Sequence, residues 1–370
     1  MALPPLRIAL ERGYDGGREG AWILDLPGAF GWARDRDQAI SQAPSAAGWF
    51  RDWLARHDAP VDLAIGPVEV VEEVTVSVVG GYERNAILEA DRVPVEPSEL
   101  GIAIDRLGFA RADLLELAGR IATLGAEDRA ASGDGRHVRG ALDVLRHIGD
   151  SETWLVSRLD PGARFGGVDR DGDVLPYLAA TRVWFVDNLG RLHGRDPGLA
   201  RTDGKGEAWT MRKVLRRAVY HSVDHLRELD RRVARSEGRV DRLEIRTERL
   251  ADVAPLARLL TSVGWDRRLE RPGQLQRAID ATRAMVGAWD GPELVGFARE
   301  LGDGEFSAHI SMVVVDPRWQ GLGLASRLVS SIMEGRPDVR FTLGAAGGLD
   351  EYYGRFGFVP DDRAMVRRRR

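Results

Sequence analysis

Three changes of hydrophobic rhythm predict a multidomain chain: a small α+β module, an all-α four-helix bundle, and a C-terminal α/β domain with a mixed sheet. Short alternating runs dominate residues 1–95, a 3.6-residue apolar period runs through 97–237, and strands alternate with helices over 243–370. The 370 residues suffice for two or three domains of about 100–200 residues each. Zero cysteines exclude disulfides, thiolate catalysis and Cys-ligated zinc. A net charge of −4 gives no reason to expect nucleic acid. No apolar run reaches the roughly 18 residues that would span a bilayer, and the start "MALPPLRIAL" has prolines where a secretory apolar region belongs. The expectation is a cytoplasmic protein with neither a nucleic-acid nor a membrane partner.

In the first segment, "LRIALERG" and "GAWILDLPG" read as strands bounded by glycine. "RDQAISQAPSAAGWFRDWLARH" has helical spacing, with Asp35 or Asp37 placed to start it. "VEVVEEVTVSVV" and "RNAILEADRVPV" alternate as further strands. This β-β-α-β order, together with "DLPGAFGWARDRDQAI", resembles the HicB-like fold and implies a small interaction or regulatory module. Four long periodic runs follow, from "PSELGIAIDRLGFARADLLELAGRIATL" to "WTMRKVLRRAVYHSVDHLRELDRRVARS", and polar, glycine-rich loops join them as in a four-helix bundle. "SEGRVDR" (236–242) is the best linker in the sequence.

The last segment runs strand "LEIRT", helix "DVAPLARLLTSV", a second helix near "PGQLQRAIDAT", then strands "AMVGAWD", "ELVGFAREL" and "FSAHISMVVVD". Turn signals at Asp290-Gly291 and Gly302–Gly304 separate these strands as hairpins require. Helix "LASRLVSSIMEG", strand "VRFTLGA" and a short helix at "LDEYYGRFG" complete it.

The stretch "VVVDPRWQGLGLASRLV" is a strand, a turn of small residues and a helix. The first N–H groups of a helix lack intrahelical partners and carry the positive end of the dipole. Gly321, Gly323 and Ala325 keep side chains away, so a diphosphate can meet those amides directly. The stretch has neither the Lys-Ser/Thr of a P-loop nor the full dinucleotide fingerprint.

Here the residues resemble motif A of the GNAT acyltransferase superfamily, with Gln320, Gly323 and Ala325 at the motif positions and "VVVDP" as the preceding strand. "YYGRFGF" resembles the second landmark of that family, matched by Tyr353, Gly357 and Phe358. The resemblance covers about 125 residues from Leu243 onward. It implies acetyl-CoA as donor and a small-molecule or peptide amine as acceptor. The pantetheine arm then lies along Val313, Val314 and Val315, and the pyrophosphate on the amides of Gln320, Gly321, Leu322, Gly323, Leu324 and Ala325. Tyr353 matches the usual general acid, and Tyr352 stands one residue too far from Gly357-Phe358. For the base, Glu300, Glu305 and His309 lie on or beside the central strands, and Glu300 closes an apolar strand towards the acceptor side. In this family the first helices and hairpin loops shape the acceptor site, here "GWDRRLERPG" with Trp265 and Arg268, and "ELGDGEF".

"YHSVDH" sets His221 and His225 one helical turn apart on one face, and His147 belongs to another helix of the same segment. Three converging imidazoles suit Zn²⁺ or Ni²⁺ with an open position for water. Residues 97–237 resemble the DinB-like superfamily, whose metal triad has this layout. The bundle then reads as a second catalytic site, a metal-stabilised scaffold or a dimerisation module forming a homodimer. An N-acetyltransferase is the leading expectation. Beside it stand a metal-dependent transferase or hydrolase centred on the histidines, and a regulatory protein that binds CoA without turnover.

Overall fold

The computed structural model describes residues 3–124, 140–265, 268–345, 349–361 and 365. It divides into two compact units, Met1–Arg239 and Val240–Arg370, and the division falls inside the glycine-containing linker.

The first unit begins with strand β1 (Leu6–Gly13), a single turn α1 (Tyr14–Gly17), β2 (Arg18–Ile23), β3 (Phe30–Ala33), helix α2 (Arg36–Arg56) and β4 (Val68–Thr75). The sheet order is β3-β2-β1-β4, with β4 parallel to β1 and the other pairs antiparallel. Asp35 is the residue that starts α2, its carboxylate accepting the Gln38 N–H at 2.8 Å. Two sequence expectations change. The run after "LDLPG" turns at Gly28, whose φ of +99° suits glycine, and returns as the extra strand β3. "RNAILEADRVPV" is not a strand: after the hairpin β5 (Ser77–Val79) and β6 (Tyr82–Arg84), Glu89–Arg92 form a 3₁₀ turn. That turn closes because the Asp91 carboxylate accepts the Leu88 N–H at 2.9 Å and the Arg216 guanidinium at 2.6 and 2.9 Å.

Helices α3 (Pro97–Thr123), α4 (Ala141–Leu159) and α5 (Val174–Arg195), the small hairpin β7 (Ala200–Thr202) and β8 (Ala208–Thr210), and α6 (Met211–Ser236) complete the unit. Helix α3 packs on α6 and α4, and α4 also packs on α5 and α6. The buried apolar stripes of these helices merge with β1, β2 and α2 into one continuous core, from Leu6 and Trp53 to Phe185 and Val233. The first two sequence segments therefore share one interior. Helix α6 is anchored at its start by Lys213, whose fully buried ammonium donates to Glu207 at 3.0 Å and to the carbonyls of Asn85 and Ala208. Burial pushes its pKa down to about 8.

The second unit contains β9 (Glu244–Arg246), α7 (Ala254–Ser262), α8 (Gln274–Asp280), β10 (Ala284–Asp290), β11 (Glu293–Gly302), β12 (Ser307–Val315), α9 (Leu324–Met333), β13 (Arg340–Leu343) and α10 (Asp350–Gly354). The sheet order is β13-β12-β11-β10-β9, and only the β12–β13 pair is parallel. Met312 and Val314 face the core of α7 and α8, whereas Val315 faces the core of α9. Covering both sheet faces explains the unbroken apolar run at the end of β12. Among the described residues no helix is long and apolar enough to cross a membrane.

Candidate functional site

Strand β12 carries the geometry that matters in the second unit. It pairs with β13 only from Ser307 to Ile310, whereas its pairing with β11 continues to Val315. The register against β11 slips between Arg299 and Glu300, which leaves Ser311 as the extra residue of a bulge. Beyond Ile310 the outer edge of β12 has no ladder partner among the described residues. Val313, Val314 and Val315 lie on that stretch.

Asp316 then turns the chain. Its N–H donates to the Val295 carbonyl at 2.8 Å, and its carboxylate accepts the N–H and Nε of Arg318 at 2.9 Å each. Buried Trp319 fixes the turn to the core. The Gln320 side-chain amide donates back to the Val315 carbonyl at 2.9 Å, so its role is to hold the loop. Gly321 (φ +75°) and Gly323 (φ +93°) adopt backbone that L side chains rarely enter, and α9 begins at Leu324. A Cβ on Gly323 would meet no atom within 4 Å, so the space over the helix mouth is open. The first amides of α9, from Leu324 through Ala325 to Ser326, have no intrahelical acceptor. Gly296 lets α9 sit close: a Cβ there would lie 3.0 Å from Leu324 and 3.1 Å from Leu328.

Tyr353 is half-buried on α10, stacked edge-on between Tyr352 (4.9 Å) and Phe358 (6.0 Å). Burial pushes its pKa above the ordinary phenol value, with a smaller push from Tyr352. The Tyr352 hydroxyl accepts from Ser326 Oγ at 3.3 Å, in the first turn of α9. Nothing in the sequence pairs those two residues.

Glu300 is fully buried, and both its oxygens accept from the Arg336 guanidinium, one of them at 3.0 Å. A carboxylate engaged in this way is an ion-pair partner and not the free base its strand-end position implied. Glu305 and His309 are exposed, and the His309 Nδ1 lies 3.1 Å from Thr342 Oγ1. Trp265 packs against the core of α7 and α8, with the Arg268 guanidinium 4.5 Å above its ring. Asp266 and Arg267 of the same loop lie outside the described residues.

In the first unit the structure brings His147 of α4 together with His221 and His225 of α6. Ring nitrogens of the three lie within 4.8 Å of one another, and the Nε2 atoms of His147 and His221 are 3.0 Å apart. His225 Nδ1 is 2.8 Å from Glu228 Oε2, an outer carboxylate that orients the ring and leaves Nε2 for the cluster. Glu228 follows His225 by three residues, so helical spacing identifies it without a structure.

Residues 264–369 match the family model for the acetyltransferase (GNAT) domain. The chain is 37% identical over 112 residues to an uncharacterized N-acetyltransferase ycf52-like of Prochlorococcus marinus, covering 28% of this chain and 61% of that protein. It is 33% identical over 122 residues to the chloroplastic serotonin N-acetyltransferase 2 of Oryza sativa subsp. japonica, covering 31% and 60%. A solved GNAT family acetyltransferase from Streptococcus pneumoniae aligns over 35% of this chain and 98% of its own, at 22% identity and a TM-score of 0.31. The chain thus spans about three fifths of the length of these curated relatives. The C-terminal region is a domain of the GNAT acetyltransferase type.

The Glu300–Arg336 pair yields a stability prediction. Glu300→Gln should lower the unfolding free energy by about 3 kcal/mol, the low end for a broken buried pair because Arg336 keeps some solvent exposure. Urea denaturation measures it, and an unchanged midpoint would show that the pair contributes nothing.

Proposed function

We propose that the chain is an acetyl-CoA-dependent N-acetyltransferase that moves an acetyl group to an amine by direct attack on the thioester. The observation that carries this reading is the open glycine mouth of α9 set beside the unpaired edge of β12. Bound acetyl-CoA supplies an activated acyl group. The amides of Leu324, Ala325 and Ser326 would take the diphosphate, with Gly321 and Gly323 leaving room for it. The edge of β12 at Val313 and Val314 offers backbone N–H and C=O groups to an extended arm, as a sheet does to an added strand. An amide near Val313 would polarise the thioester carbonyl as its oxygen gains charge.

Tyr353 is the proposed general acid for the departing thiolate. Transfer from a phenol held above its ordinary pKa to a thiolate is uphill, so Tyr353 would act by being positioned at the departing sulfur, a role that usually contributes about 10²–10⁴-fold. The same elevation keeps Tyr353 protonated throughout the neutral range. With Glu300 committed to Arg336, the amine proton leaves through water.

A second reading rests on the histidine cluster and on the resemblance of its segment to DinB-like proteins. His147, His221 and His225 would hold a divalent zinc or nickel ion with a position left for water, which suits a metal-dependent transferase or hydrolase. The HicB-like reading of the first segment stays with this proposal as an interaction module.

Acetyl-CoA consumption with a panel of amines tests the first reading, and CoA binding without turnover would favour a regulatory role. Gly323→Glu should abolish CoA binding in calorimetry, because its carboxylate enters the diphosphate space; unchanged affinity refutes the placement. Tyr353→Phe should lower kcat by about 10²–10⁴-fold with little change in the KM for acetyl-CoA, and should remove the fall in activity above pH 10. A variant as fast as the parent at every pH removes Tyr353 from the mechanism. Metal analysis of the purified protein should find about one equivalent of bound zinc or nickel, lost in His221→Ala; equal metal content in both excludes His221 as a ligand.

A further inference from the structure

The first unit holds a cavity of about 260 Å³ that neither the GNAT region nor the histidine cluster uses. Its wall is mostly apolar, with Trp22, Ile23 and Val95 facing Ala103 of α3 and Leu215 and Val219 of α6. The histidines lie elsewhere: Val219 and His221 are two residues apart on α6, about 200° around the helix axis.

Three arginines line this apolar space, Arg106, Arg212 and Arg216, against two carboxylates, Asp91 and Glu99. Arg212 is taken by Glu99 at 2.6 and 2.7 Å, and Arg216 by Asp91 at 2.6 and 2.9 Å. Arg106 is left over. It is only 9% exposed, and its one hydrogen bond among the described residues goes to the Pro27 carbonyl at 2.6 Å. Burial lowers its pKa to about 10, which leaves it charged at neutral pH. Three cations and two anions leave the cavity one positive charge in excess. Besides the Pro27 carbonyl, the Arg106 guanidinium meets the Phe50 ring at 5.5 Å, and no carboxylate among the described residues pairs with it.

We propose that this cavity binds a small apolar monocarboxylate, its carboxylate held by the Arg106 guanidinium and its hydrocarbon body lying against Leu215 and Val219. The volume admits roughly eight or nine water-sized atoms, the size of a short-chain or aromatic acid and far below that of a nucleotide cofactor. Entry is beside Ile102, a wall residue that is 49% exposed.

The test is calorimetry on the full chain with hexanoate, 1-hexanol and acetate. Hexanoate should bind saturably at one site, in the micromolar to low millimolar range open to so small a ligand. Hexanol, without the charge, and acetate, without the chain, should each bind at least about tenfold more weakly. Arg106→Gln should weaken hexanoate at least about tenfold. Ile102→Trp, at an exposed position that disturbs no core contact, should block entry and keeps the test available if the arginine variant fails to fold. Hexanol binding as tightly as hexanoate would reduce the cavity to an apolar void, and acetate doing so would reduce it to an anion site. Either result overturns the proposal, as do absence of saturable heat and parental affinity in Ile102→Trp.

Discussion

Strand β12 pairs unequally along its two edges. One edge is satisfied along its length by β11. The other pairs with β13 up to Ile310 and then, past the extra residue Ser311, has no ladder partner among the described residues up to Val315. Unpaired strand edges invite added strands and are usually covered or blunted. Here that stretch leads through Asp316 and Trp319 into the glycine turn of α9, so an extended backbone edge and the first amides of α9, which have no intrahelical acceptor, adjoin on one continuous segment. The acetyl-CoA reading depends on that adjacency more than on any single side chain.

Several buried charges are answered by a partner of opposite sign. Lys213 answers Glu207, Arg216 answers Asp91, and Arg336 answers Glu300, each with short contacts in the interior. Such pairs add little net stability over apolar packing, but removing one partner is costly. They fix where α6 and α9 lie, and with α6 the histidines it carries. Arg106 and Arg299 depart from that pattern: among the described residues no carboxylate pairs with either, and each donates to a main-chain carbonyl instead, Arg106 to Pro27 and Arg299 to Ala278.

Helix α6 is the organising element of the first unit. Its face at Arg212, Leu215, Arg216 and Val219 borders the cavity, and its face at His221 and His225 meets His147 of α4. A helix that supplies two different polar faces must be buried along most of its length. The sequence accordingly places fourteen buried residues on it, charged ones included.

Local pattern was sufficient for much of this. Strand β1, the four long helices, β10 and the start of α9 lie where period, caps and glycine signals put them, because those signals act between residues a few positions apart. The glycine mouth and the His221–His225 spacing were legible for the same reason. What the sequence could not carry were pairings over long separations. "RNAILEADRVPV" alternates like a strand, yet Asp91 answers Arg216 across 125 positions and closes a 3₁₀ turn instead. Glu300 reads as a strand-end carboxylate until Arg336, 36 residues on, encloses it. The point where β12 leaves β13 and the burial of Arg106 between the Pro27 carbonyl and the Phe50 ring belong to the same class. Each is decided by which groups the tertiary fold brings together or leaves unmatched in the low-dielectric interior, a question that short-range spacing does not address.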